Sequence, residues 1–264
     1  MALVTGGSRG IGAAICRRLA RAGAAVLVAS RQLESCQELA DEICAEGGRA
    51  WGLALDVGDP DSIAQAVQEA ELMAGASGGV SWLVNNAGIA ESASLAASIA
   101  DPGIYERHLR INFHGPRRML EALLPHMQKR GQGRVVNVAS SAGLRGYGYV
   151  AAYCASKFAL VGWTLSAAIE VERSGLKINA VCPHYVDSPM LAVSVARLVE
   201  KTGKSVEEAR AFFEQENPSG ALVSPEQVAE SVLELLLGEH NACLVELDGG
   251  PEPIHRFPNS RNSS

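Results

Sequence analysis

A tyrosine and a lysine four residues apart, Tyr153 and Lys157, are the side chains of this sequence best suited to proton transfer. On a helix this spacing places both on one face, one turn apart. An ammonium beside a phenol favours the phenolate, so we expect Lys157 to lower the tyrosine pKa from its usual value of about 10. Ser140 lies at the end of an upstream β-like run, and its hydroxyl could hold the same substrate oxygen. The three side chains predict acid–base chemistry on an oxygen atom.

The N-terminus has the pattern of a dinucleotide site. Residues 2–4 form a short apolar run that leads into the glycine-rich segment 5–12, followed by a helical pattern to about residue 22 and a second apolar run over 24–29. Strand, glycine turn, helix and strand is the context that a dinucleotide fingerprint needs. Glycines let the backbone approach a pyrophosphate closely, and the helix N-terminus offers unpaired N–H groups. The alternative is a glycine-rich turn without a ligand.

Five motifs occur in one order along the chain. They are Gly6-x3-Gly10-x-Gly12, Asn85-Asn86-Ala87-Gly88, Asn112, Ser140 and Tyr153-x3-Lys157. In this order and spacing the chain resembles the short-chain dehydrogenase/reductase family over residues 2–250. It resembles most the 3-oxoacyl-thioester and polyketide ketoreductases, and its long segment after the sixth strand is similar to that of hydroxyacyl and hydroxybutyrate dehydrogenases.

The resemblance implies an NADP(H)-dependent oxidoreductase that reduces a ketone to a secondary alcohol. It implies that Tyr153 is the acid in reduction and the base in oxidation, and that Lys157 lowers its pKa and binds the nicotinamide ribose. Ser140 is expected to orient and polarise the carbonyl. Asn112 is expected to hold a helix distortion and a water that links Lys157 to solvent. The chemistry agrees, because a positioned hydroxyl and phenol meet the negative charge that builds on a carbonyl oxygen under hydride attack.

The end of the second predicted strand bears on the choice between NAD and NADP. An acidic residue there would bind the ribose 2′-hydroxyl, but this sequence has Ser30-Arg31, and Arg9 lies in the glycine loop. Arginine binds phosphate through two parallel hydrogen bonds, and in the family arginines at these two places go with NADP(H). The alternative is that either arginine is only solvated.

The other cofactor contacts follow from the resemblance. Asp56-Val57 matches the family's adenine-contacting pair, although Asp56 could equally cap the helix that begins near Pro60. Val186 and Ser188 match positions that approach the nicotinamide amide, and the Asn-Asn-Ala-Gly segment is expected both to line the cofactor and to stabilise the central sheet. The predicted cofactor contacts are Gly6, Ser8, Arg9, Gly10, Ile11, Gly12, Ser30, Arg31, Asp56, Val57, Asn86, Ala87, Gly88, Tyr153, Lys157, Pro183, Val186 and Ser188.

Hydrophobic patterning predicts the fold class. Strand-like runs lie at 2–5, 24–29, 50–55, 82–84, 133–138, 177–181 and 242–247, with helical patterns at about 10–22, 32–46, 60–74, 102–130, 150–174 and 225–237. Alternation of this kind predicts an α/β Rossmann fold with a doubly wound, seven-stranded parallel sheet and helices on both faces. We expect one domain over residues 1–250, with a substrate lid at 189–220, and a C-terminal tail at 251–264 whose end is disordered.

Composition limits the partners and the location. The 264 residues are 47% hydrophobic and carry a net charge of -6, without a lysine- or arginine-rich run, so nucleic acid is not an expected partner. We see no secretory segment and no 18-residue apolar stretch, which predicts a cytoplasmic protein without a membrane partner. The six cysteines form no C-x-x-C pair and are interpreted as reduced core thiols, so no metal site is expected.

The substrate side is the least determined. Apolar residues of the lid would either contact an apolar substrate or acyl chain, or pack against the sheet. His184 follows Pro183 where the family usually has glycine, so it would contact substrate, shift the loop or lie exposed. The candidate substrate contacts are Leu144, Tyr147, Tyr149, His184 and Met190.

Two other functions stay open. One is an alcohol or hydroxyacyl dehydrogenase that works oxidatively with NAD(P) on the same site. The other is a non-enzymatic, cofactor-binding regulator, which would be expected to have lost part of the catalytic set Asn112, Ser140, Tyr153 and Lys157. The resemblance also implies a homotetramer, or a homodimer, formed through the helices at about 102–130 and 150–174 and the C-terminal strand region. An apolar helix face of Phe158, Val161, Leu165 and Ile169 suits either an interface or a core.

Overall fold

Short apolar strands alternate with helices throughout the computed structural model, which describes residues 1–75 and 78–257. The strands are Ala2–Thr5 (β1), Ala25–Ser30 (β2), Arg49–Ala54 (β3), Trp82–Asn85 (β4), Gly133–Val138 (β5), Leu176–Pro183 (β6), Leu244–Leu247 (β7) and Ile254–Arg256 (β8). The α-helices are Gly10–Arg21 (α1), Leu33–Ala45 (α2), Pro60–Ala74 (α3), Leu95–Ala100 (α4), Ile104–Leu109 (α5), Gly115–Arg130 (α6), Ala151–Val171 (α7), Pro189–Thr202 (α8), Val206–Glu216 (α9) and Pro225–Leu237 (α10).

The strands form one sheet in the order β3-β2-β1-β4-β5-β6-β7-β8. β1 pairs in parallel with both β2 and β4, so the strand order reverses between β1 and β4. In such sheets ligands bind outside the carboxyl ends of the strands at this reversal. The predicted α/β class and parallel doubly wound sheet are confirmed.

The predicted number of seven strands is wrong, because an eighth strand lies in the segment assigned to the tail. β8 pairs antiparallel with β7, with Val245 opposite His255. Ile254, His255 and Arg256 are all exposed, so apolar patterning gave no signal for this strand. The predicted disordered end of the tail, at 258–264, lies outside the described residues.

Each face of the sheet buries its own apolar cluster, because successive residues of a strand point to opposite sides. Val4 and Val28 lie in the cluster covered by α1, α2 and α10. Leu3 and Leu27 lie in the cluster covered by α3, α6 and α7. The helices therefore cover both faces, as predicted.

Helix α7 is more apolar than the sequence patterning indicated. The segment Ala151–Ser174 is long and apolar enough to cross a membrane by length and composition alone, contrary to the expectation that no such stretch exists. Core helices of folded domains pass the same test. In α7 the side chains of Lys157, Leu160 and Thr164 are buried, and Ala168 belongs to the cluster on the sheet.

Candidate active site

The carboxyl ends of β1, β4, β5 and β6 meet at one edge of the sheet, where the strand order reverses. The glycine loop follows β1, the Asn-Asn-Ala-Gly segment follows β4, and Ser140 follows β5. The first two turns of α7 bring Tyr153 and Lys157 to the same edge. Residues that are far apart in the sequence are thereby placed at a single site.

The glycine loop and the start of α1 fit a phosphate group. Gly6 has a φ of 61°, and a Cβ on Gly12 would lie 2.0 Å from the Gly6 carbonyl oxygen, so neither position accepts a side chain without rearrangement. Arg9, at the N-cap, makes no side-chain cap, and the first turn contains no acidic residue. The first N–H groups of α1 therefore have no capping side chain and can receive an anion.

The Asn-Asn-Ala-Gly segment braces this loop against the sheet. The Thr5 hydroxyl accepts from the Asn86 and Ala87 amides at 3.0 and 3.1 Å, and the Asn86 side chain donates to the Thr5 and Gly6 carbonyls at 3.1 and 2.9 Å. Asn85 is buried and donates to Asn137 at 2.9 Å. These bonds support the expectation that the segment stabilises the central sheet.

The two predicted phosphate-binding arginines are exposed. Neither the Arg9 nor the Arg31 guanidinium group forms a hydrogen bond or ion pair with any residue that the structure describes. Ser30 is already engaged, since its hydroxyl lies 2.9 Å from the Cys36 sulfur and donates to the Gln32 carbonyl at 3.2 Å. Both guanidinium groups are thus available to a ligand, whereas the Ser30 hydroxyl would have to exchange its bond to the Gln32 carbonyl in order to donate to one.

Asp56 does not cap the third helix, which was one of its two possible roles. That cap is Asp59, whose carboxylate accepts from the Asp61 amide at 3.1 Å. Asp56 holds a tighter turn by accepting from Gly58 at 2.8 Å. Of the predicted nicotinamide-side residues, Val186 is buried, and the Ser188 hydroxyl caps α8 by accepting from the Leu191 amide at 3.4 Å.

Asn112 lies inside a π-helical turn, Arg110–His114, that connects α5 to α6. Its side chain is fully buried, accepts from the Ile89 amide at 2.9 Å and donates to the Ile89 carbonyl at 2.9 Å and the Ser156 hydroxyl at 3.0 Å. The predicted helix distortion at Asn112 is confirmed. A π-turn widens the helix locally and often marks a functional position.

The side chains predicted to be catalytic converge beside this turn. Ser156 links Asn112 to α7 by donating to the Tyr153 carbonyl at 2.7 Å. Lys157 is buried and donates to the Val138 carbonyl at 2.9 Å, with its ammonium 5.7 Å from the centre of the Tyr153 ring. The Ser140 hydroxyl accepts from the Ala142 amide at 3.1 Å. We call Asn112, Ser140, Tyr153, Ser156 and Lys157 the catalytic edge.

Burial dominates the proton affinities at the catalytic edge. It raises the pKa of Tyr153 to about 12, against a hydrogen bond with Ser140 that lowers it. It lowers the pKa of Lys157 to about 8. The sequence predicted that the Lys157 ammonium would lower the pKa of Tyr153. In the folded protein the pKa of Tyr153 is raised instead, because the cost of desolvating the phenolate exceeds the stabilisation by neighbouring groups. At neutral pH Tyr153 is protonated, which is the form that donates a proton.

Comparison with known proteins agrees with this geometry. The family model for short chain dehydrogenases matches residues 1–198. A 4-formylbenzenesulfonate dehydrogenase of Comamonas testosteroni is 37% identical over 95% of this chain and 96% of its own, and the ketoacyl reductase HetN of Nostoc sp. is 32% identical over 89% and 82%. A crystal structure of an actinorhodin polyketide ketoreductase variant with NADPH superimposes with a TM-score of 0.86 at 34% identity, over 94% of this chain and 95% of that one.

The chain belongs to the short-chain dehydrogenase family. The predicted resemblance, including that to ketoreductases, is confirmed. As a short-chain dehydrogenase it is an oxidoreductase that binds a nicotinamide cofactor and acts on a small molecule. When bound, that cofactor carries a hydride to or from the substrate carbon. The uncapped start of α1 and the exposed guanidinium groups of Arg9 and Arg31 would hold its phosphates.

The substrate candidates of this short-chain dehydrogenase fall into different environments. His184 is buried with its side chain fully covered, so it neither lies exposed nor reaches an open wall. Leu144 packs against the cluster that contains Leu160. Tyr149 and Met190 are 75% and 44% exposed, and Tyr147 is half-buried near the catalytic edge. Tyr147 is the candidate best placed to contact a substrate.

The predicted lid segment, 189–220, contains two helices, α8 and α9. Leu191, Val195 and Phe213 are buried and pack around Ala209, so these three fill a small core of the lid. Met190 and Phe212 remain 44% and 42% exposed. Of these five side chains, only those of Met190 and Phe212 are available to an apolar ligand.

Two residues near the site, Ser156 and Glu246, were not predicted from the sequence. Ser156 is flanked by the Tyr-x-x-x-Lys pair, but nothing in the sequence shows that its hydroxyl faces Asn112. Glu246 is a carboxylate in the middle of an apolar strand, which is itself a signal, because buried carboxylates need partners. Its partners include His184, 62 residues away.

Proposed function

We propose that this protein is an NADP(H)-dependent reductase that converts a ketone to a secondary alcohol. The observation that carries the proposal is the juxtaposition of the Ser140 hydroxyl and a protonated Tyr153 at the edge where the glycine loop opens. A 3-oxoacyl thioester or polyketide-like ketone is the proposed substrate class. Similarity to a ketoacyl reductase and to a polyketide ketoreductase supports that class.

In the proposed reaction the protein supplies the proton and stabilises the charge. The Ser140 hydroxyl donates a hydrogen bond to the carbonyl oxygen, on which negative charge grows as the carbon is reduced. Tyr153 transfers its phenolic proton to that oxygen, which gives the alcohol and leaves a phenolate. Lys157, held by the Val138 carbonyl, carries a positive charge 5.7 Å from the centre of the Tyr153 ring. Its ammonium lowers the energy of the phenolate and so favours the transfer.

The arginine pair supports NADP(H) over NAD(H). Arg9 and Arg31 are exposed, and neither pairs with any part of the chain that the structure describes. A ribose 2′-phosphate would give both guanidinium groups a doubly charged partner. The segment Ser30-Arg31 at the end of β2 contains no carboxylate that would repel this phosphate.

Oxidation of an alcohol is the second candidate, and the similarity to a galactitol 2-dehydrogenase of Agrobacterium fabrum, 32% identical over 95% of this chain and 96% of its own, favours it. In that direction Tyr153 must be a phenolate. Because its pKa is raised, oxidation is expected to be faster at alkaline than at neutral pH, whereas reduction uses the protonated form. The regulator alternative receives no support, since the whole catalytic set is present and positioned.

Cofactor titration by nicotinamide fluorescence tests the cofactor assignment first. Wild-type protein is expected to bind NADPH more tightly than NADH, and Arg31→Asp to reduce that preference by about tenfold to a hundredfold, the value of one or two charge-assisted hydrogen bonds. Arg173→Asp makes the same charge change at an exposed position elsewhere and serves as the matched control. An unchanged preference in Arg31→Asp would exclude the 2′-phosphate assignment.

A substrate panel then tests the reaction. With the preferred cofactor, acetoacetyl thioesters and cyclic ketones are offered at neutral pH, and the corresponding alcohols at alkaline pH. Faster ketone reduction supports the reductase. Alcohol oxidation with no ketone reduction would establish the oxidative dehydrogenase in its place.

We also propose a cytoplasmic homotetramer, or a homodimer, associated through α6, α7 and the C-terminal strands. Phe158 and Ile169 on α7 support it, because both are apolar and 46% and 57% exposed, whereas Val161 is buried in the core. Light scattering during size-exclusion chromatography measures the assembly. A monomer at micromolar concentration would exclude it.

A further inference from the structure

A buried carboxylate ties four segments together behind the substrate side of the site. Glu246 on β7 is 3% exposed. One of its oxygens, Oε1, accepts from His184 Nε2 at 2.9 Å and from Arg145 at 2.6 Å, and the other, Oε2, accepts twice from Arg256 of β8 at 2.6 and 2.9 Å. Burial opposes ionisation of Glu246, but the hydrogen bonds from His184, Arg256 and Arg145 outweigh it and lower its pKa to about 2. Glu246 is therefore a carboxylate and accepts only.

The ionised carboxylate fixes the tautomer of His184. Because Glu246 cannot donate, His184 Nε2 must carry the proton that binds it. Arg145 and His184 then donate to the same oxygen, which explains why their nitrogens lie 3.1 Å apart although neither can accept from the other. In the neutral imidazole the remaining nitrogen, Nδ1, is an acceptor.

The only hydroxyl within hydrogen-bonding distance of His184 Nδ1 in the described part of the chain belongs to Tyr147, at 3.4 Å. Tyr147 has one proton, so when it donates to His184 its oxygen must accept from the Ser141 hydroxyl, 2.9 Å away. A lone pair is left on the Tyr147 oxygen. The sequence Glu246, His184, Tyr147 is thus a directed chain of hydrogen bonds.

Tyr147 ends this chain between the catalytic edge and the lid. Its phenol is close enough to Tyr153 to contribute to the raised pKa of that residue. Its ring meets Tyr185 edge-on at 6.3 Å between centroids, and Tyr185 in turn meets Phe213 of the lid at 5.0 Å. Tyr147 is half-buried, so part of it remains accessible to a bound molecule.

We infer that Glu246 and His184 are positioning residues that fix Tyr147 as a hydrogen-bond acceptor on the substrate wall. The inference rests on the proposed ketone reduction and specifies it. The preferred ketone carries a hydrogen-bond donor, a hydroxyl or an amide N–H, near the carbonyl, because the Tyr147 proton is committed to His184 and its oxygen can then only accept. A site that binds a substrate hydroxyl rejects analogues that lack it.

A matched pair of ketones tests the specificity. The probes are 2-hydroxycyclohexanone, which has a donor, and 2-methoxycyclohexanone, which has none. Wild-type protein is expected to prefer the hydroxy ketone by about tenfold in kcat/KM, the value of one hydrogen bond. Tyr147→Phe is expected to abolish this preference, chiefly by raising KM for the hydroxy ketone. An unchanged preference in Tyr147→Phe would overturn the inference.

Two isosteric variants separate positioning from simple packing. Asparagine places its amide near the position of Nδ1, and glutamine places it near Nε2. His184→Asn keeps a partner for Tyr147 and should keep the preference for the hydroxy ketone, whereas His184→Gln keeps the Glu246 contact and should lose it. Tyr105→Phe, at a tyrosine of α5 outside the candidate site, is the control and should behave as wild type. Equal loss in both His184 variants would indicate packing alone and contradict the inference.

A measurement without turnover distinguishes this inference from the proposed function. The chain has five tyrosines, so 19F NMR of the full-length protein labelled with 3-fluorotyrosine gives few signals, and Tyr147→Phe assigns that of Tyr147. His184→Gln and Glu246→Gln are expected to shift the Tyr147 signal and leave that of Tyr105 in place. A shift with no ketone reduction would refute the reductase and uphold the positioning. Ketone reduction with no shift would refute the positioning alone.

Discussion

At the catalytic edge, Asn112, Ser156 and Lys157 are buried and bound to backbone or to one another, whereas the lid exposes Met190 and Phe212 at its surface. The edge draws its contacts from β4, β5, the π-turn and α7, which are distant in sequence. The lid closes mainly on itself, through Leu191, Val195, Ala209 and Phe213. The edge therefore resists change, because each buried polar group there depends on a particular partner, and the lid can vary without disturbing the sheet.

The largest effect is expected at Tyr153. Tyr153→Phe removes the proton donor and keeps the ring, so kcat should fall by about a thousandfold, within the usual range for a general acid. NADPH affinity, measured by fluorescence titration, should stay within about twofold because the phosphate-binding groups are untouched. Tyr105→Phe, on α5, is the matched control. Retention of more than a tenth of the activity would remove Tyr153 from this role.

The second largest effect is expected on the stability of the protein when a buried polar group of the catalytic edge is removed. Asn112→Ala leaves the Ile89 amide and carbonyl without their buried partner. It also removes the donor to the Ser156 hydroxyl, which keeps its own bond to the Tyr153 carbonyl. The free energy of unfolding, measured in urea, should fall by about 4 kcal/mol, since each unpaired buried group costs about 1–3 kcal/mol. Gln68→Ala, at an exposed helix position, should change it by less than about 0.5 kcal/mol. Equal losses in the two variants would mean that the edge depends on packing and not on these bonds.

Two adjacent phenylalanines of the lid, Phe212 and Phe213, lie on its outer and inner faces. Phe213→Ala removes a ring that is 9% exposed and should lower the free energy of opening of the lid amides, measured by hydrogen exchange, by about 3 kcal/mol. Phe212→Ala, at 42% exposed, should leave that value within about 0.5 kcal/mol and raise KM for an apolar ketone. If the two variants exchanged these effects, the assignment of inner and outer lid faces would be wrong.

The smallest effect concerns pH and Lys157. Its pKa is lowered from 10.5 to about 8, so between these values the unfolded chain binds a proton that the folded chain lacks. The contribution of Lys157 to the free energy of unfolding therefore rises with pH across this window and is constant below it. From about pH 7.5 to about pH 9.5 the difference between wild type and Lys157→Met should shift by about 2 kcal/mol in favour of wild type.

Urea unfolding at the two pH values measures this shift. Lys129→Met, at an exposed position, is the control and should show none. The range stays below pH 10, because above it the raised pKa of Tyr153 acts with the opposite sign. A pH-independent difference would mean that Lys157 keeps its ordinary pKa in the folded protein.

Most of the fold was predictable because its signals are local. β5 and α10 occupy the residues expected from apolar patterning, and Ser224 caps α10 together with Gln227. The glycine loop was predictable for the same reason, since its constraint is on the backbone of a few neighbouring residues. β8 was not predictable, because its three residues are exposed and are ordered by hydrogen bonds to β7 and by the Arg256–Glu246 ion pair.

The sequence by itself determined which groups the site contains: the phenol, the ammonium, the serine hydroxyl and the glycine turn, at spacings that local geometry converts into one edge of a sheet. Only the tertiary structure decided their proton affinities and the place of His184. Desolvation set the pKa values of Tyr153 and Lys157, and it depends on every atom packed around a group. The sequence allowed His184 to be a substrate contact. In the structure it is buried and binds Glu246, which lies on a strand 62 residues away. Such contacts have no local signature, because the energy of a buried polar group depends on a partner that only the completed fold brings near.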